Sequence, residues 1–576
     1  MTNYKQEYLH WLDSPALAES EWKELDEIRG DEDEIKSRFF APLEFGTAGL
    51  RGIMGMGLNR MNKHVVRHAT QAFASIICDE GEQAKKNGVI ICYDCREKSE
   101  LFARTSASVM AANGIYVRIF DSLRPTPELS FAIRKYGATA GINVTASHNP
   151  REYNGYKVYW SDGAQLPPKH AEAIASVMAK TDIFTSINRI NYDEAVASGL
   201  IEVIGSETDE DFLQKVLSQA INRDVVSRVA DNFKIVYTPF HGAGYKLVPE
   251  ALRRLGMRHV IPVPEQMVID GAFPTVKSPN PEEPAGYYLA IKLAKRENCD
   301  LIIGTDPDSD RVGVMARGEN GDFISITGNQ MGVLLLDYII NAKKAAGTLP
   351  ENASALKTIV TTEMAREVAE QNGIHIEDTF TGFKFMAEKL AEYEKNGSYN
   401  NIMSFEESYG YMLGDYVRDK DAVTASMMIA EMAAYYHEMG ITLPQAMDKL
   451  YEKYGYFTEK TLNLIMPGID GLEKMKVLMD TLREHPPTEI GGTNVLRERD
   501  YSTGKISVPG LGAVDKTEIF GSNVLYFELE DESAFIVRPS GTEPKIKVYI
   551  LVKGESHASC ADKTQKYVDF AENLGK

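Results

Sequence analysis

Three aspartates stand at every second position in Gly304-Thr305-Asp306-Pro307-Asp308-Ser309-Asp310-Arg311, directly after the apolar run Leu301-Ile302-Ile303. Carboxylates spaced this way can converge on one hard cation, which takes oxygen ligands. Arg311, adjacent to the three, has no ligand atom to offer. A calcium loop of the EF-hand type needs Gly at its sixth position and Glu at its twelfth, where this chain has Arg311 and Arg317. A solvated acidic loop is the plainer alternative, and the apolar lead-in argues against it.

A second constellation is Gly141-Ile142-Asn143-Val144-Thr145-Ala146-Ser147-His148-Asn149-Pro150. Here an apolar run delivers hydroxyls and an imidazole into a turn closed by proline. Serine acts as a nucleophile only when a base, a metal or a phosphorylation cycle activates it. An Asn-Pro turn with incidental hydroxyls fits the same residues.

Three further segments carry polar chemistry. Arg538-Pro539-Ser540-Gly541-Thr542-Glu543-Pro544-Lys545 brackets a glycine turn with cations, which suits an anion nest or a basic surface hairpin. Phe405-Glu406-Glu407-Ser408-Tyr409-Gly410 sets carboxylates and a hydroxyl after an apolar lead-in. Such groups pair with vicinal sugar hydroxyls, although an acidic helix start reads the same way. Phe45-Gly46-Thr47-Ala48-Gly49-Leu50-Arg51-Gly52 is glycine-rich without the dinucleotide fingerprint, and its Arg51 has the reach to meet a phosphate.

The elements that must position these residues are legible as short apolar runs, each ending in a polar loop and followed by a helical pattern. Val89–Tyr93 ends at Asp94, Ile235–Tyr237 at Thr238, Leu301–Ile303 at Gly304, and Ile359–Val360 at Thr361. Strands alternating with helices predict βαβ units and parallel sheets, whose ligands bind beyond the carboxyl ends of the strands. Residues 1–40 read as two polar helices with Tyr8, Trp11 and Leu12 on one stripe. Three α/β blocks can be drawn, with boundaries at residues 1–205, 206–325 and 326–454. Residues 455–576 have a different rhythm, that of a smaller α+β domain.

Composition limits the partners. The chain has 576 residues, 43% hydrophobic and 25% charged, which predicts a folded protein of several domains. Its formal net charge of −20 repels nucleic acid and anionic membrane. A phosphate site in so acidic a chain must therefore be made locally positive. No apolar run approaches the ~20 residues of a membrane span; Met331–Ile340 is broken by Asp337. The five cysteines form no disulfide framework, and no secretory leader is recognisable, so a cytoplasmic address is expected. Cys92 and Cys95 have C-x-x-C spacing without a second pair for zinc. His64 and His68 lack the Glu of H-E-x-x-H and read as a structural pair.

Taken together and in this order, the motifs resemble the α-D-phosphohexomutase superfamily, the phosphoglucomutase/phosphomannomutase group, and most closely its longer branch, which also holds phosphopentomutases. The resemblance covers essentially the whole chain. It implies three similar α/β domains with mixed or mostly parallel sheets plus a smaller C-terminal α+β domain around a central cleft. It further implies a phosphoserine at Ser147, Mg2+ on Asp306, Asp308 and Asp310 together with the Ser147 phosphoryl group, and Arg51, His148 and Lys157 at the reacting centre, Lys157 as general acid/base. Glu406 and Ser408 would grip sugar hydroxyls, while Thr381, Gly382 and Lys384 would help distinguish substrate orientations and Lys420 would add a basic contact. Arg538, Ser540, Gly541, Thr542 and Lys545 would hold the phosphate not in transfer. The implied reaction interconverts glucose 1-phosphate and glucose 6-phosphate, with glucose 1,6-bisphosphate as intermediate and activator. Many bacterial dual-specificity members carry Gly-Glu-x-Ser-Gly-His in the sugar loop; this chain lacks that histidine, which weighs against mannose phosphate. A pentose 1-phosphate to 5-phosphate conversion stays open, as does, from another class, a serine-dependent metal phosphatase.

Overall fold

The computed structural model describes residues 4–47, 49–466, 471–540 and 545–574. It divides into two compact units, one of Met1–Thr327, Met386–Lys395 and Ser408–Thr442, the other of Gly328–Phe385, Asn396–Glu407 and Leu443–Lys576.

The first unit contains two mixed sheets. Strands β1 (Leu50–Ile53), β2 (Val89–Tyr93), β3 (Val117–Phe120), β4 (Ala140–Val144), β5 (Tyr153–Trp160) and β6 (Ile201–Ile204) are ordered β1-β5-β4-β2-β3-β6. The β4-β2-β3-β6 portion is parallel, and β5 and β1 run antiparallel at its edge. Strands β7 (Lys234–Thr238), β8 (His259–Pro262), β9 (Leu301–Thr305), β10 (Val312–Arg317) and β11 (Phe323–Ile326) are ordered β11-β10-β9-β7-β8, parallel across β9-β7-β8. Every residue of β2, β4 and β9 is buried, as expected of parallel strands covered on both faces.

Residues 1–40 form three helices rather than two: Tyr4–Leu12, Glu19–Glu27 and Glu32–Phe39. The Ser14-Pro15 and Gly30-Asp31 breaks each end a run, and the Asp31 side chain caps the third helix by accepting from the Glu34 N–H. Tyr8, Trp11, Leu12, Leu25, Ile35 and Phe39 join the core of the β1–β6 sheet, so this polar-looking segment is part of that domain.

In the second unit, β12 (Ala353–Thr358) lies between β13 (His375–Thr379) and β14 (Asn400–Glu406), parallel to both. The expected strand Ile359–Val360 is displaced: β12 ends at Thr358, and these two residues lie in the turn after it. Their apolar side chains pack with Tyr526, Ile536 and Tyr549 of the C-terminal sheet, a long-range partnership that a local pattern cannot show. That sheet is antiparallel and includes Tyr456–Ile465, Leu525–Leu529, Ala534–Pro539 and Lys545–Gly554. Met475, Met479 and Leu482 of the helix Gly471–Glu484 and Cys560, Tyr567 and Ala571 of the helix His557–Asn573 complete its second core.

Candidate active site

Ser147 lies just beyond the carboxyl end of β4, and the three aspartates just beyond that of β9, where open α/β sheets place their ligands. The two segments meet within the first unit. Ser147 Oγ donates to Asp306 Oδ2 at 2.9 Å. With its one proton so directed, Oγ accepts from His148 Nδ1 at 3.2 Å. Ser147 adopts φ of +52°, the left-handed region that a side chain enters at a cost of about 1 kcal/mol.

Two devices hold that turn. The Ser147 N–H donates to Thr145 Oγ1 at 2.8 Å. Buried Arg96 donates Nη2 to the carbonyls of Ser147 and Asn149, both at 2.5 Å, and Nη1 to those of Pro150 and Tyr153 at 2.9 and 3.0 Å. Its guanidinium pairs with Asp94 at 3.2 Å and sits 5.1 Å from the Phe273 ring centre. The close packing also needs Gly155, opposite Arg51 in the β1-β5 register: a Cβ there would lie 2.4 Å from the Thr145 carbonyl oxygen.

The aspartates are buried and offer ligand atoms within 4.8 Å of one another. Asp306 Oδ1 accepts from the backbone N–H groups of Asp310 and Arg311, each at 3.0 Å. Asp308 Oδ2 accepts from Lys157 Nζ at 2.7 Å and Thr126 Oγ1 at 2.8 Å. Asp310 Oδ2 lies 3.2 Å from both Lys157 Nζ and Lys420 Nζ. Asp308 Oδ1 and Asp310 Oδ1 are buried without a hydrogen bond. Buried orphan carboxylate oxygens in an all-oxygen donor set fit a hard divalent cation.

The electrostatics agree with that fit. Burial, then Asp308 and Asp310, push the Asp306 carboxyl well above the usual range. Burial acts likewise on Asp308, but the Lys157 charge, with the hydrogen bonds from Lys157 and Thr126, outweighs it and holds that group low. A third charge on this triad is resisted unless positive charge is added. Lys157 itself is lowered by burial and raised more by Asp308 and Asp310, so Nζ keeps its proton. Burial, then Arg311 and Arg51, hold the His148 imidazole well below its ordinary range and neutral.

The other expected residues divide between the units. In the first, exposed Arg51 donates Nη1 to Asn149 Oδ1 at 3.0 Å, next to the Ser147 turn. Arg311 turns Nη1 to Glu282 at 3.2 Å, with Nε 3.9 Å from Asp310 Oδ1 and its backbone N–H on Asp306. Lys420 Nζ is oriented by Asp419 Oδ1 at 2.9 Å, while Asp419 Oδ2 accepts from Tyr159 at 3.0 Å and Gln165 at 3.2 Å. Ser408 is half-buried beside Tyr409, whose carbonyl accepts from the Val312 N–H at 3.1 Å. In the second unit, Glu406 ends β14 and accepts from the Gly382 N–H at 2.6 Å, with Gly382 at φ of +113°. Thr381 is half-buried beside it, and Lys384 Nζ lies 4.7 Å from the Phe385 ring centre. Arg538, Ser540 and Lys545 share one hairpin end, where the Ser540 N–H donates to the Lys545 carbonyl at 2.9 Å. Gly541 and Thr542 lie outside the described residues.

Thr126 and Arg96 carry more of this site than their sequence context showed. Thr126 follows Arg124-Pro125 at a Pro-marked helix start, a cue to secondary structure alone. The two decoys resolve as structural. His64 Nε2 meets Glu21 at 3.2 Å and His68 Nε2 meets Thr181 at 2.8 Å. Cys92 and Cys95 are free thiols, Cys92 directed at the Arg124 carbonyl.

Comparison with known proteins agrees with this geometry. The family models described as phosphoglucomutase/phosphomannomutase alpha/beta/alpha domains I, II and III match residues 42–183, 210–319 and 327–454. A phosphoglucomutase of Staphylococcus saprophyticus is 34% identical over 550 residues, covering 95% of this chain and 96% of the relative. Among solved structures, the open form of the Paramecium exocytosis-sensitive phosphoprotein pp63/parafusin, a phosphoglucomutase, superposes with a TM-score of 0.66 at 17% identity, over 92% of this chain and 96% of that one. An Aspergillus fumigatus N-acetylphosphoglucosamine mutase, solved in complex with GlcNAc-6P and magnesium, gives 0.50 at 13% identity, over 93% and 97%.

Proposed function

This chain belongs to the phosphoglucomutase/phosphomannomutase family, and from that membership we infer that it is a phosphoglucomutase, an isomerase interconverting glucose 1-phosphate and glucose 6-phosphate through glucose 1,6-bisphosphate. The observation that carries the reading is the 2.9 Å contact between Ser147 Oγ and Asp306 Oδ2 inside a buried three-aspartate cluster. A nucleophilic oxygen and a divalent-cation site then share one locus, which is what phosphoryl transfer through serine requires.

Asp306, Asp308 and Asp310 would hold Mg2+, which when bound supplies positive charge against the phosphoryl oxygens. The chain's own groups do the rest. Ser147 Oγ carries the phosphoryl group in the resting enzyme. A sugar hydroxyl attacks that phosphorus and the bond to Oγ breaks, while Lys157 Nζ gives its proton to the departing Oγ and takes the hydroxyl proton in its place. When the other phosphate of the bisphosphate returns to Oγ, the exchange runs in reverse: Lys157 gives its proton to the departing sugar oxygen and takes that of Ser147. The ion pairs that hold Nζ protonated suit that donation. Arg51 and neutral His148 flank the group in transfer and donate to it. Glu406 and Ser408 are assigned to the sugar hydroxyls, Thr381, Gly382 and Lys384 to distinguishing the substrate orientations, Lys420 to a further basic contact, and Arg538, Ser540, Gly541, Thr542 and Lys545 to the other phosphate.

Glucose is favoured over mannose and pentose phosphates by the character of the curated relatives. Five free thiols suit a reducing, cytoplasmic compartment, and no helix among the described residues is long and apolar enough to cross a membrane.

The test is mass spectrometry of the purified chain for phosphate on Ser147, with a coupled assay on glucose 1-phosphate and traces of the 1,6-bisphosphate. Mannose 1-phosphate and ribose 1-phosphate are run alongside. Steady release of inorganic phosphate without isomerisation would instead mean a phosphatase.

A further inference from the structure

Thr126 opens the helix Thr126–Tyr136. Its backbone N–H, a donor that a helix start leaves without an intrahelical acceptor, goes to the Asp308 carbonyl at 2.8 Å. Its hydroxyl then makes a second bond to the same residue, donating to Asp308 Oδ2 at 2.8 Å. The direction of that hydroxyl proton is set from behind, because Asn143 Nδ2 donates to Thr126 Oγ1 at 2.7 Å. Asn143 is in turn the cross-strand partner of Lys157 in the β4-β5 register, and Lys157 Nζ meets the same Asp308 Oδ2 at 2.7 Å. One carboxylate oxygen is thus gripped from two sides by groups rooted in the β1–β6 domain. The other, Oδ1, is buried and has no hydrogen bond.

We propose that Thr126 is a positioning residue for the metal site: its hydroxyl sets the rotation of the Asp308 carboxylate so that Oδ1 is the oxygen presented to the cation. The inference rests on the triad being a divalent-cation site and adds the residue that aims one of its ligands. Groups that hydrogen-bond a ligating carboxylate typically change metal affinity by about 10–100-fold when removed. Valine matches threonine in shape and lacks the hydroxyl, so Thr126→Val isolates the hydrogen bond; serine keeps the hydroxyl.

The experiment titrates the purified full-length chain with Mn2+ and follows free Mn2+ by electron paramagnetic resonance, with no sugar phosphate present. The wild-type chain is expected to bind one ion, Thr126→Val to bind about 10–100-fold more weakly, and Thr126→Ser to return close to the wild-type affinity. Thr126→Ala removes the hydroxyl without adding the second methyl, and the same loss is expected there should the valine chain not fold. Unchanged affinity in both Val and Ala variants overturns the positioning role. An equal loss in Thr126→Ser also overturns it, because packing rather than the hydroxyl would then be responsible. Absence of Mn2+ binding by the wild-type chain overturns the cation reading of the triad itself, and the inference with it.

Discussion

Lys157 Nζ lies 2.7 Å from Asp308 Oδ2 and 3.2 Å from Asp310 Oδ2, with all three side chains buried. A strand of one sheet thereby supplies the charge that makes an acidic loop of another tolerable. Removing one partner of such a buried cluster leaves carboxylates uncompensated, at about 3–5 kcal/mol. Lys157→Met should therefore unfold well below the wild-type temperature in EDTA. Mg2+ should raise its midpoint by more than it raises that of the wild type, since a ligand that binds only the folded chain stabilises it. Scanning fluorimetry of both chains with and without Mg2+ checks this; equal Mg2+ shifts would count against it.

Ser147→Ala removes the oxygen that forms the bond to phosphorus. Mutase turnover should fall by at least about 10³-fold, phosphate on the protein should vanish, and the thermal midpoint should stay within a few degrees of wild type. Near-normal activity in this variant would overturn the nucleophile assignment.

Asp308→Asn keeps the shape and removes the charge. Turnover should drop by about 10²-fold or more and the Mg2+ concentration for half-maximal rate should rise at least tenfold, whereas EDTA alone should silence the wild type. A Mg2+ titration of initial rates decides; an unmoved midpoint would remove the residue from the metal site.

Gly242 sits against the metal loop, where an added Cβ would lie 2.4 Å from Pro307 Cα and 2.7 Å from the Pro307 carbonyl oxygen. Since backbone has to move to admit it, Gly242→Ala should lose about 1–3 kcal/mol of stability and require more Mg2+ for activity. Urea unfolding together with the same Mg2+ titration would show both effects.

Burial pulls the His64 imidazole from 6.5 down to about 4, against the opposing pull of Glu21. A base whose folded pKa is depressed stabilises the fold fully above its unfolded value and loses that contribution as pH falls. The window here is therefore about pH 6.5 to 4, and the amount on the order of 2 kcal/mol. Trp11, stacked edge-on with His64 at 5.9 Å, should report the loosening of the amino-terminal helices. The urea midpoint should fall less between pH 7 and pH 4.5 in His64→Gln than in the wild type; an identical fall would reject the assignment.

Residue order and type alone revealed the three aspartates, the serine turn, the cationic segment at Arg538–Lys545, and strands over Val89–Tyr93, Ile235–Tyr237 and Leu301–Ile303, the last two of which run on to Thr238 and Thr305 in the structure. Those features are written in short windows, where apolar runs and turn residues report local backbone preference. Which groups meet was decided only by the tertiary structure. Ser147 and Asp306 are 159 positions apart, and strand order and register bring them within a hydrogen bond. The same holds for Thr126 on Asp308, for Arg96 over four carbonyls, and for Ile359 and Val360 leaving β12 to pack on a distant sheet. Hydrophobic periodicity encodes which face of an element is buried, but not which remote side chain will stand opposite it. That choice is made when crossovers stack the sheets and every buried charge must find its partner.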